Sequence, residues 1–110
     1  MTTLHFRGPH RTAAKHLLAY TPLGEALDRI GSVTDEDDLL TVNAPDPSSL
    51  SSGEWALLDF LASLGGYGPV YLHSTLAHLD DDCQRALWWS IGLAAGHLAD
   101  VAPVRFEGVA

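Results

Sequence analysis

Apolar residues recur at helical spacing along most of the N-terminal third of the chain. Residues 11–20 are rich in good helix formers and place apolar side chains near one face, which predicts a first helix. A second helix is predicted over Pro22–Ile30. Thr21 suits the position before a helix, and Gly31 suits the left-handed position that ends one.

Two more strongly marked helices follow in the second half of the chain. Ser51 and Glu54 have the spacing of a capping box, in which each side chain accepts the backbone N–H of the other residue. Residues 55–64 are almost entirely apolar, which predicts a helix at the centre of the core. Asp80 predicts the start of a last helix that continues to about His97.

Shorter segments complete the predicted fold. A short helix is predicted from Ser74 through Leu79. The region 43–52, rich in Pro and Ser, is predicted to be a loop. Short apolar or alternating segments predict strands at Thr2–Phe6, Leu39–Val42, Val70–Leu72 and Val104–Glu107. We therefore predict a mainly helical α+β fold, with four to five helices around a central apolar helix and a minor short-stranded sheet or hairpin.

Length and composition restrict the class of protein. With 110 residues and 46% hydrophobic residues, the chain is expected to form one compact domain over residues 1–110 that needs no disulfide or structural metal. Cys83 is the single cysteine, which favours a reducing compartment. Residues 1–7 lack the pattern of a signal peptide, and no apolar run approaches the ~18 residues of a membrane helix. The expected location is the cytoplasm, with no membrane association.

Charge is distributed unevenly along the chain. The net charge is −8, but residues 1–16 carry Arg7, Arg11 and Lys15 and no acidic residue, giving +3 there and −11 over the remaining residues. This pattern suggests a basic N-terminal arm at residues 1–10. The three cations are candidates for intramolecular pairing, for an acidic partner or for nucleic-acid phosphates. Nucleic acid is the disfavoured alternative, because three cations neutralise few phosphates and an acidic body repels DNA.

An acidic run precedes the strand predicted at residues 39–42. It comprises Asp35, Glu36, Asp37 and Asp38. The sequence shows no local structural role for this run, so we predict that it binds a partner. A second form of this hypothesis is an inhibitor of phage or plasmid type, whose carboxylates imitate phosphates and occupy the binding site of a nucleic-acid-binding protein.

The last predicted helix has more apolar surface than one neighbour can cover. Trp88 and Trp89 are adjacent, so they point about 100° apart on a helix and one core face buries both only with difficulty. Its second apolar face, which includes Trp89 and Leu93, requires either the first helix or a second copy of the chain. Trp88, Trp89 and Leu93 are therefore candidate interface residues.

The sequence indicates catalysis or metal binding less strongly than it indicates protein binding. The spacing of His73 and His78 does not place both imidazoles on one helical face, and Cys83 follows three aspartates that disfavour a thiolate. We predict no catalytic residue, cofactor or metal. The prediction is a non-enzymatic acidic interaction or regulatory protein that binds another protein and self-associates, as a homodimer. A DNA-associated regulator is the alternative, and a metal-binding or thiol enzyme is the third.

Overall fold

A computed structural model describes residues 3–103, and within that range the chain forms five α-helices and three β-strands. A single 3₁₀ turn, Pro47–Ser49, lies in the loop before the third helix. In chain order the elements are β1 Thr3–Phe6, α1 Gly8–Ala19, α2 Pro22–Ile30, β2 Val33–Glu36, β3 Leu39–Asn43, α3 Ser52–Leu64, α4 Leu72–Ala77 and α5 Asp81–Ala94. The prediction of a mainly helical α+β fold is confirmed. Within residues 3–103, no helix has the length and apolar character needed to cross a bilayer.

The three strands form an antiparallel sheet in the order β1–β3–β2. Its register places Leu4 opposite Val42 and Phe6 opposite Leu40, and all four side chains are buried. Side chains at the alternate positions, such as His5, point to the other face. One face of this sheet therefore contributes to the core, and the other is polar and accessible.

The predicted helix ends are confirmed where local chemistry defines them. The Ser51 hydroxyl accepts the N–H of Glu54 at 3.2 Å, and the Glu54 carboxylate accepts the N–H of Ser51 at 2.9 Å. The Asp80 carboxylate accepts the N–H of Cys83 at 2.8 Å. Gly31 ends α2 in the left-handed conformation. These features fix the directions in which α3 and α5 enter the core.

Several predicted boundaries are wrong. Residues 70–72 do not form a strand, because Leu72 is the first residue of α4, which ends at Ala77 rather than continuing to Leu79. Three consecutive apolar residues have no measurable period, so they do not distinguish a strand from the entry to a helix. α5 ends at Ala94, before His97, and a left-handed glycine follows at position 96. The strand predicted at residues 104–107 lies outside the described residues.

The N-terminal region joins the fold directly. Residues 3–10, the described part of the predicted basic arm, form β1 and the first turn of α1. α1 begins at Gly8, three residues before the predicted start, and it accommodates Pro9 because the N–H that proline lacks has no partner in the first turn of a helix.

α1 packs against five other elements, namely α2, α3, α5, β1 and β3. Its Ala13 and Ala14 are fully buried, and such small side chains permit close approach of neighbouring elements. α3 adds the apolar residues predicted for the core, among them Leu57 and Leu61. A smaller cluster of Ala13, Trp89 and Leu93 joins α1 to α5.

Candidate interaction surfaces

The acidic run contacts the basic residues of α1. The guanidinium of Arg11 donates two hydrogen bonds of 2.9 Å to the two carboxylate oxygens of Asp35. Lys15 Nζ lies 3.0 Å from one of the same oxygens. Hydrogen bonds from Arg11 and then Lys15 lower the pKa of Asp35, and the bond to Asp35 raises the pKa of Arg11. The intramolecular alternative left open by the sequence therefore accounts for Arg11, Lys15 and Asp35.

The rest of the acidic run forms a β-hairpin. Glu36 ends β2, and the two-residue turn of Asp37 and Asp38 connects it to β3. Both turn residues have positive φ, 54° and 59°, as a type I′ turn requires. Asp tolerates this conformation better than most residues with a Cβ atom. The run thus has a local structural role, which the charge pattern alone did not reveal.

The three cations considered for nucleic acid do not form one free surface. Arg11 and Lys15 are paired with Asp35, as described above. Arg7 lies at the junction of β1 and α1, where it is exposed and forms no ion pair with any residue in the range 3–103. Contact of this trio with phosphate would therefore require breaking the pairs at Asp35.

The predicted interface residues of α5 separate into two environments. Trp88 is 43% exposed, whereas Trp89 is 6% exposed and Leu93 is also buried. Trp89 and Leu93 pack with Ala13, so the second apolar face of α5 is covered by α1 within the same chain. Of the three, Trp88 is the residue that is available at the surface.

His78 and Cys83 line the same small cavity, of about 150 Å³, together with Asp80. Burial, together with the neighbouring Asp80, raises the pKa of Cys83 to about 12, so the thiol is protonated at neutral pH and is a poor nucleophile. His73 and His78 are exposed. Across residues 3–103, no group of three or more His, Cys, Asp or Glu side chains is placed to hold a metal ion.

After α5, the chain folds back along the helix. We name residues 97–103 the C-terminal strap. The side chain of Leu98 covers Gly92 so closely that a Cβ atom there would lie 2.3 Å from Leu98 Cδ1. The carbonyl of Ala99 accepts a hydrogen bond of 2.9 Å from Trp89 Nε1. The strap therefore belongs to the α1–α5 contact, an arrangement that the sequence pattern did not predict.

The strap also covers a histidine. The side chain of His16 is fully buried, with Nδ1 3.5 Å from an oxygen of Asp100 and its ring centroid 4.6 Å from that of Tyr20. Neither ring nitrogen has a hydrogen-bond partner among the described residues. Burial lowers the pKa of His16, and the nearby carboxylate of Asp100 opposes this effect only in part. The ring is thus neutral at pH 7.

On the outer side of α3, two grooves remain open. Trp55 and Asp59 are one helical turn apart and share a face, and together they form what we name the Trp55–Asp59 ridge. On one side lies the α3–α4 groove, of about 410 Å³, which reaches Ser74 and His78. On the other lies the α3–β1 groove, also of about 410 Å³, which reaches Tyr67. Trp55 and Asp59 line both grooves.

The far wall of the α3–β1 groove is held by hydrogen bonds. The Tyr67 hydroxyl accepts the N–H of His5 at 2.9 Å and donates to its carbonyl at 3.3 Å. Pro45 is buried in the same wall. The capping box at Ser51 fixes the start of α3, which places Trp55 in the second turn. Both sides of this groove are therefore held in place by contacts within the chain.

Sequence reasoning missed the ridge although a signal was present. Asp59 and Ser63 are the polar side chains in an otherwise apolar segment, so they mark the face of α3 that stays at the surface. Trp55 lies one turn before Asp59 on that face. The grooves themselves depend on Tyr67 and α4, which only the tertiary structure brings next to α3.

Comparison of the chain with protein-family models, curated proteins and solved structures finds no match.

Proposed function

We propose that the protein is a non-enzymatic interaction protein that associates with a second copy of itself through the exposed face of α5. The observation that supports the proposal is the environment of Trp88. Two faces of α5 are already filled by the core and by α1, yet Trp88 stays 43% exposed. Ile91, about one turn further along, is partly buried against the core, and Ala95, which directly follows α5, is exposed about two turns along the same side.

Burial of this face by an identical face would remove a large aromatic ring from water. Such an arrangement is the usual form of a two-fold homodimer. Tryptophan is among the residues most enriched at the energetic centre of interfaces. The raised pKa of Cys83 supports the non-enzymatic part of the proposal, and its buried free thiol is compatible with action in the cytoplasm.

Sedimentation equilibrium over a range of concentrations tests the proposal. We expect the wild-type chain to dimerise. Trp88→Ala removes the ring from both copies, and since a central tryptophan contributes about 2 kcal/mol, the two losses together should weaken dimerisation by about 1,000-fold. Tyr71→Ala is the matched control, because Tyr71 is an exposed aromatic residue that precedes α4. A wild-type chain that remains monomeric at high micromolar concentration would contradict the proposal.

A further inference from the structure

We infer that the Trp55–Asp59 ridge and its two grooves bind a peptide segment of a partner protein that combines apolar side chains with a lysine or arginine. This inference concerns a different surface from the one proposed for self-association, and neither depends on the other. It rests on the shape and apolar character of the grooves and on the position of a single carboxylate.

The α3–β1 groove supplies the apolar part of the site. Its walls include Leu4, Leu58 and Ala62, with the Tyr67 ring at the rim. A volume of about 410 Å³ lies within the range of about 300–1,000 Å³ usual for binding sites, and it accommodates a large aliphatic or aromatic side chain. Because hydrogen bonds to His5 already hold Tyr67, little ordering of this wall is needed on binding.

Asp59 supplies the charge preference. Its side chain is exposed, lines both grooves and forms no ion pair with any residue in the range 3–103. A cation in a bound segment therefore reaches this carboxylate from either groove without displacing an existing partner. The net charge of −8 further favours the approach of a basic segment over an acidic one.

The α3–α4 groove extends the site on the other side of the ridge. Its floor includes Ala56 and Thr75, and its edge carries the polar groups of Ser74 and His78. This groove therefore suits a side chain with an apolar stem and a polar end. A segment that crosses the ridge would place an apolar side chain in one groove and the stem of a lysine or arginine in the other.

A display library of random 12-residue peptides, panned against the full chain, tests the inference. We expect selected peptides to contain a lysine or arginine within four residues of an apolar residue. In synthetic form they should shift the indole N–H signal of Trp55, which Trp→Phe variants assign. Asp59→Asn should weaken binding about fivefold, and Asp59→Lys more than tenfold.

Asp28→Lys is the matched control, because Asp28 is an exposed helical carboxylate beside a different surface groove. Affinity within twofold of wild type for this variant supports the ridge as the site. The inference is overturned if no peptide is enriched, if Asp59→Lys leaves binding unchanged, or if Asp28→Lys weakens it equally. Repeating the titration with Trp88→Ala separates the two surfaces, since ridge binding should persist when self-association is lost.

Discussion

Two regions of the molecule differ in how far the chain itself covers their aromatic side chains. Beside the α1–α5 contact, the C-terminal strap contacts Trp89 and lies next to His16, and both side chains are buried. Beside α3, the grooves next to Trp55 have no such cover among residues 3–103. The covered region contributes to the stability of the folded chain, and the grooves beside α3 are the region for which we infer a binding role.

The carboxylates of Asp35 and Asp59 also differ in whether another part of the chain contacts them. Asp35 is held by Arg11 and Lys15, while Asp59 lies between two grooves without an ion-pair partner in the described residues. The number of acidic residues therefore says little about binding. What matters is whether the fold already provides the counter-charge.

The largest change in stability is expected from a substitution that displaces the C-terminal strap. In a helix, Gly→Ala ordinarily adds up to about 1 kcal/mol of stability. Gly92→Ala should instead lower the free energy of unfolding by about 1 kcal/mol, because its new methyl group displaces the side chain of Leu98 from α5. Urea denaturation measures the change.

A double-variant comparison isolates the contact responsible. In a Leu98→Ala background the collision is removed, so Gly92→Ala should become neutral or stabilising. The strap would not be the cause if Gly92→Ala were equally destabilising in both backgrounds.

A smaller, pH-dependent effect is expected at His16. With the strap closed, burial lowers the pKa of this residue, whereas a released strap would expose the ring to water and restore an ordinary pKa of about 6.5. The open state therefore takes up a proton first, and closure is most stable above that pH and weakens as the pH falls below it. Hydrogen exchange of residues 97–103, corrected for intrinsic rates, should accelerate between pH 7 and pH 5.

The neighbours of His16 define the control. Asp100 from the strap and Tyr20, which directly follows α1, are titratable groups beside it, and Trp89 of α5 stacks near it. His16→Leu removes the titrating group and should abolish the acceleration. Retention of the full pH dependence by this variant would assign the effect to another group.

The smallest effect is expected from the two carboxylates. Asp35→Asn should lower the melting temperature at low salt, and the difference should shrink in 1 M NaCl because salt screens the lost ion pairs. Asp59→Asn removes the same charge without breaking an ion pair and should leave the melting temperature nearly unchanged. Equal losses for the two variants would remove the distinction between a paired and an open carboxylate.

Predictions succeeded where a few neighbouring residues determine the structure. The capping box at Ser51, the cap at Asp80 and the left-handed Gly31 each depend on residues within one helical turn. All the groups that define these helix ends lie within a few residues of one another, so the local sequence is sufficient to predict them.

Predictions failed where the structure depends on residues far apart in the sequence, or on a sequence pattern that fits more than one structure. The negative charge of the acidic run predicts a binding surface, but Asp37 and Asp38 also suit a type I′ turn. Because the turn is not recognised from charge alone, the strand β2 before it is not predicted either. The pair of Arg11 and Asp35 spans 24 residues, and only the packing of α1 beside the sheet brings the two together. The strap and the open grooves likewise require the assembled fold.

The hydrogen bonds of Tyr67 have a consequence for how the small sheet meets other chains. β1 is an edge strand, and an added strand would need the N–H and carbonyl of His5, which the Tyr67 hydroxyl already occupies. The opposite edge, β2, carries the charged Asp35 and Glu36, a composition that discourages strand addition. Both edges thus disfavour β-sheet extension and edge-to-edge aggregation. Recognition by this protein would therefore rely on side chains rather than on backbone pairing.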